Sequence, residues 1–280
     1  MNDYKKPAKG QWKNAPLAFV LAQVRFSQQP DGFTEKFQEA IQNLMPHQLM
    51  PAVAAPLMQV SIEIGDDGTQ KQSMTPIGTL FNLVATDGRM LVRIAPDSLT
   101  LAVTSYTDST DFRNLWIPMV NELNNIDMTG SINRLGLRYV DFVVPQPGES
   151  VEVYVASPWN LEGVTALPGA IEELPGLNFS MMDVGFAKGR MRLQFMRGFG
   201  KPNLPADLQG MLEPEAVAMD RPDGQSAVID MDRWIEGQWS VRDDNLQSDF
   251  STMQADLSGA FKHMISDYAK SCWNPVAQSC

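Results

Sequence analysis

Apolar residues recur along this chain with two different periods, and the switches between them delimit its elements. Residues 17–26 (LAFVLAQVRF) form a short β-branched and aromatic run between Pro16 and a Gln28-Gln-Pro-Asp-Gly32 turn, which predicts a first strand. Phe33, Phe37, Ala40, Ile41 and Leu44 then recur at helical spacing. Asp31 is placed to cap that helix and Pro46 to stop it. In 57–64, Val60, Ile62 and Ile64 alternate with Ser61 and Glu63, the pattern of a half-buried strand. Runs at 79–85, 89–95 and 99–106 follow, and Asp87-Gly88 suits a hairpin turn, so a meander is expected. Phe112, Leu115, Trp116, Met119, Val120 and Leu123 predict a second helix, capped from Ser109-Thr-Asp111 and bent or shortened by Pro118.

The second half repeats this order. Strand patterns lie at 135–144, 151–156, 178–186, 190–197 and 227–233. A terminal helix is marked by Phe250, Met253, Leu257, Phe261, Met264, Ile265 and Tyr268. Leu137-Arg138-Tyr139 repeats the apolar-Arg-aromatic step of Val24-Arg25-Phe26. The expected architecture is therefore α+β, with two similar halves, each a mainly antiparallel sheet flanked by an amphipathic helix. The divisions are a flexible basic tail (1–13), a first half (14–130) and a second half (131–280), packed as one unit. Two zones rich in Pro and Gly, 157–176 and 198–226, interrupt the second half and are candidate contact loops.

Several of these segments together resemble a sporadically distributed bacterial protein family without an assigned function. They are Asn14-Ala-Pro-Leu17, Val24-Arg25-Phe26, Leu115-Trp116, the Arg134-Leu-Gly-Leu-Arg-Tyr139 run, and Phe261-Lys-His263 with Ile265. The resemblance implies a bacterial, cytoplasmic, single-module protein and supplies no catalytic residues. Its patchy distribution is that of phage-defence components and toxin partners.

Charge sharpens the picture. The 280 residues carry 22 Lys+Arg against 33 Asp+Glu, a formal charge of −11. Residues 1–140 hold twelve basic and thirteen acidic residues, and 141–280 hold ten and twenty. The acidity belongs to the second half, which disfavours whole-surface docking on phosphate backbones. The charged N-terminus lacks the apolar core of a signal peptide, and no segment reads as a bilayer span. Cys272 and Cys280 are too few for a disulfide framework or a four-ligand zinc site. Only His47 and His263 occur, and no nucleotide-binding or nucleophile motif is present, so nothing calls for a cofactor.

Four sets of residues carry what chemistry there is. Asp230 and Asp232 share one face of a strand, with Asp220 and Asp223 upstream, as a metal-dependent hydrolase or nuclease requires. The simpler reading makes them the wet face of a strand whose Ala227, Ile229 and Met231 pack inward. In the hairpin 186–201, Arg190 and Arg192 alternate with Met191, Leu193 and Phe195, and Lys188, Arg197 and Lys201 extend the charge. Such a face suits a nucleic acid, a nucleotide or an acidic peptide, or is balanced by the twelve acids of 203–256. Arg25 and Arg138 are candidates to converge on an anion, or to bridge to acids in the neighbouring half. Trp159, Trp234 and Trp239, in or beside the irregular segments, are candidate partner-binding anchors, and Arg190, Arg192 and Arg197 join them. The expectation is a non-enzymatic protein-interaction module, antitoxin-like or a defence component, with a protein partner and a homodimer both open. The Asp-cluster enzyme and the nucleic-acid or nucleotide sensor stand as alternatives.

Overall fold

A computed structural model describes residues 16–27, 29–64, 69–126, 128, 130–156, 159, 178–215, 224–241 and 244–273. The fold is α+β and is built on one nine-stranded antiparallel sheet. Its strands are β1 (Leu17–Phe26), β2 (Val53–Ile64), β3 (Gln70–Val84), β4 (Met90–Ala95), β5 (Ser98–Val103), β6 (Ile132–Val143), β7 (Asn178–Gly185), β8 (Arg190–Phe199) and β9 (Gln225–Trp239). They lie in the order β2-β3-β4-β5-β1-β6-β9-β8-β7. The antiparallel strands expected in each half belong to this one sheet, which the pairing of β1 with β6, from Leu17↔Asp141 to Phe26↔Ile132, makes continuous.

The helices are α1 (Phe33–Leu44), α2 (Ser109–Asn125), α3 (Asp244–Met264) and α4 (Asp267–Cys272). Their buried side chains join one face of the sheet in a single core: Phe37 and Ile41, Trp116 and Val120, Phe250 and Leu257 pack with Val20, Val24, Leu101, Leu137 and Ile229. The opposite face carries a second, smaller core. There Leu204, Leu208 and Leu212 from one of the Pro-rich zones cover Phe19, Leu91, Ala102, Val140, Phe142 and Val228. The stretch 204–212 of a zone read as a loop is thus a lid on the sheet, because three leucines at a spacing of four give it an apolar side to bury.

Local chemistry accounts for the remaining differences. Asp31 does not cap α1: the cap is Gly32, at φ +83°, without a side-chain bond. For α2 the cap is Asp108, whose carboxylate accepts from the Thr110 and Asp111 amides, both at 2.7 Å, and the helix continues through Pro118. Residues 151–156 form a 3-10 turn (Val151–Tyr154) followed by a single bridge, Val155↔Ile265, in place of the expected strand. The terminal helix breaks at Ile265, where Ser266 caps α4 by accepting from the Ala269 amide. Zone 157–176 lies almost wholly outside the described residues.

Candidate interaction surface

β2 and β3 pair from Val53↔Asn82 to Ile64↔Gln70, whereas β3 pairs β4 only over 81–84. Beyond that point the ribbon pairs with no further described strand and runs on as a two-stranded arm, with Gly78 at its base lying against Pro96. Strand alternation gives the arm two unlike faces. Met58 and Val60 on β2 oppose Pro76 and Met74 on β3, and Ile62 and Ile64 oppose Gln72 and Gln70, while Gln59 and Ser61 meet Thr75 and Ser73 on the other side. A bulge between Leu57 and Met58 inserts Ile77 at the base. The apolar face is bare: Ile62 is 63% exposed, Ile64 70% and Met74 62%, with Met58, Val60 and Ile77 above 40%. It continues the helix-covered face, since Ala54 on the same side of β2 opposes Phe81, which packs on the main core. The half-buried strand expected at 57–64 is therefore exposed on the face that should be buried. At the far edge of the sheet, Phe179 and Met181 on β7 are also exposed.

The charged candidates fall into a row across the face opposite the helices. Arg138, Asp232, Arg192 and Asp183 are successive register partners on β6, β9, β8 and β7, so cation and carboxylate alternate from strand to strand. Arg138 is the hub. Its Nε and Nη2 donate to Asp230 at 2.7 Å each, and its Nη1 donates to Asp207 on the lid at 2.5 Å. Burial pulls the Arg138 pKa down, but the hydrogen bonds and charges of Asp230 and Asp207 outweigh it and hold the guanidinium well above its ordinary range. The Arg138 hydrogen bond holds the Asp207 carboxyl below its usual range, while burial pushes the Asp232 carboxyl up. Arg134 lies over the Trp234 ring, 5.6 Å from its centroid, and 3.9 Å from Asp232.

These placements decide several expectations. Arg25 is exposed and opposes Arg134, whereas Arg138 opposes Leu21 and spends its fork on two aspartates, so Arg25 and Arg138 do not meet. Trp159 and Trp239 are core residues rather than exposed anchors, and the Trp239 indole donates to buried Asp249. Trp234 is half-buried. Arg192 pairs Asp183, Arg197 pairs Glu152 and Lys188 pairs Asp249, which leaves Arg190 and Lys201 as the exposed cations of the hairpin that make no ion pair among the described residues. Asp230 is 2% exposed, so it is no wet-face residue. Asp220 and Asp223 lie outside the described residues, and among those described no group of three or more His, Cys, Asp or Glu is arranged to hold a metal. His47 is exposed, and the His263 ring lies 2.7 Å from the Gly259 carbonyl. No described helix is long and apolar enough to cross a membrane.

Two residues escaped the sequence reading. Asp207 sits between Leu204 and Leu208 in a Pro-rich segment that gives no hint of its partner. Asp141 was visible as an acid inside the apolar run Tyr139-Val-Asp-Phe-Val143. It is buried, its Oδ2 has no hydrogen-bond partner among the described residues, and burial together with the nearby Asp230 charge pushes its pKa well up. A carboxyl with a raised folded pKa favours folding most at acid pH, and that contribution is lost as pH rises through the folded value. Asp141→Asn is expected to stabilise the protein at neutral pH by about 1–3 kcal/mol. Chemical unfolding across pH should show that gain shrinking as pH falls to the ordinary Asp range.

No family model matches the chain, and no curated protein matches it.

Proposed function

We propose that the chain is a non-enzymatic protein-interaction module whose contact surface is the apolar face of the β2–β3 arm. The observation that carries this reading is the set of bare side chains at Met58, Val60, Ile62, Ile64 and Met74. Contiguous apolar surface of this kind on a folded protein marks an interaction site, and a two-stranded ribbon has little stability in water by itself. Both features call for a partner on that face. The resemblance to the sporadically distributed bacterial family supports a bacterial, cytoplasmic setting and a role as a defence component or toxin partner. A common plan for the two halves is part of the same reading. Outward from the central β1 and β6, the order β5-β4-β3 on one side matches β9-β8-β7 on the other, and α2 and α3 each follow the last strand of their half.

The test is a photo-crosslinking amino acid placed at position 62 or 74 on the apolar face, or at 61 or 73 on the polar face, in the source cell. Protein adducts are expected at 62 and 74 and not at 61 and 73. Equal or absent labelling at all four positions would remove the arm as the contact surface.

A further inference from the structure

We infer that the occupant of the arm is a second copy of this chain, with the two apolar faces closing on one another about a two-fold axis. This rests on the proposed interaction role and names the partner.

Three features of the arm point to self-association. The first is permanence. A free ribbon with five large apolar side chains on one side is poorly stable, so its cover must be present whenever the chain is folded. A second copy is always made at the same time and in the same amount. The second is electrostatic. The chain carries −11 overall, so a partner steered by charge would be basic and would meet acid at the contact. The face formed by Met58, Val60, Ile62, Ile64, Met74 and Pro76, with Gln72 and Gln70 opposite the two isoleucines, holds no charged residue. That depletion of charge is characteristic of permanent homodimer contacts. Its neutrality also lets two acidic molecules approach through the arms while their bodies stay apart.

The third is size. At the observed exposures Met58, Val60, Ile62, Ile64 and Met74 present roughly 500 Å² per copy, so two closing faces bury about 1,000 Å², the least that a specific interface needs. A two-fold contact uses the same patch twice and needs no second complementary surface. Face-to-face closure is favoured over edge-to-edge pairing of two β2 strands, because edge pairing would leave the apolar face in water. Since that face is continuous with the helix-side core through Ala54 and Phe81, closure joins the two arms to the cores of both copies.

Sedimentation velocity on the full chain at micromolar concentration tests this directly. Wild type is expected at twice the 31.1 kDa chain mass. Ile62→Glu is expected to raise the dissociation constant about a hundredfold or more, since it buries a charge at a dry contact. Ser61→Glu, one residue away on the polar face, is expected to leave the dimer intact. Ile62→Thr keeps the β-branched strand geometry and is expected to weaken the dimer by a smaller factor, so a loss of arm structure in Ile62→Glu cannot imitate the result. A monomeric wild type at every concentration, or equal effects of Ser61→Glu and Ile62→Glu, overturns the second copy as partner. In the first case, crosslinks at 62 and 74 to a different protein would leave the interaction role standing. Absence of those crosslinks would remove both.

Discussion

Arg138→Ala is expected to destabilise the fold by about 3–5 kcal/mol, the range for removing one partner of a buried ion pair. The size follows from what the guanidinium leaves behind. Asp230 is 2% exposed and takes both of its carboxylate bonds from Arg138. Without that partner its charge is stranded in the sheet within reach of Asp141, which already lacks a partner for one oxygen among the described residues. The neighbouring residues separate the causes. Asp207 is 64% exposed, so Asp207→Ala breaks a solvent-screened pair and should cost under about 1 kcal/mol. Arg138→Met combined with Asp230→Leu removes both charges together and should recover much of the loss. Urea unfolding measures all four proteins. If Arg138→Ala and the double variant lose stability equally, packing and not the stranded carboxylate is the cause.

The Arg138 cluster also fixes the lid. Asp207 ties the segment carrying Leu204, Leu208 and Leu212 to the centre of the sheet, so loss of Arg138 should expose that segment to limited proteolysis before global unfolding. Arg138 holds the Asp207 carboxyl below its ordinary range. The tie therefore contributes above the usual Asp pKa and is lost as pH falls through the folded value.

Strands and helices were legible in the sequence wherever burial is one-sided, because a period of 2 or 3.6 then survives in the residue types. The register was not legible. Nothing local in Leu137-Arg138-Tyr139 announces Asp230, 92 residues away, or Asp207, 69 away, since which strands become neighbours depends on the whole sheet. The arm shows a different limit. Val60, Ile62 and Ile64 alternate as a half-buried strand does, and alternation reports two unlike faces without reporting what lies over the apolar one. Its partner segment, 70–78, is polar and contains Pro76 and Gly78, so it has little strand character alone and is a strand because β2 pairs with it. The acids that balance the hairpin 186–201 come from three separate segments, and of Asp183, Glu152 and Asp249 only Asp249 lies in the stretch 203–256 whose acids were expected to balance it.

Gly189→Ala should be the other large loss, at least about 3 kcal/mol, because two penalties coincide there. The residue lies at φ +75°, a conformation that costs a non-glycine residue roughly 1–2 kcal/mol. A Cβ would also stand 2.0 Å from the Trp234 carbonyl oxygen and 2.8 Å from the Ile235 Cα. Both are backbone atoms of β9, so the clash is relieved only by parting the strands. Parting them dismantles more than a turn. Buried Arg233 donates to the carbonyls of Lys188 at 2.7 Å, Arg190 at 3.3 Å and Trp234 at 2.7 Å, and to Asp256 on α3 at 3.0 Å, with its guanidinium 4.2 Å above the Phe186 ring. A turn pushed off β9 withdraws two of those carbonyls from a cation with almost no access to water. Gly88 supplies the control: its φ is +71° and nothing lies within 4 Å of its Cβ position, so Gly88→Ala carries the conformational cost alone. The difference in melting temperature between the two variants therefore isolates the contact between the β7–β8 turn and β9, and similar shifts for both would show that the turn can move aside without disturbing Arg233.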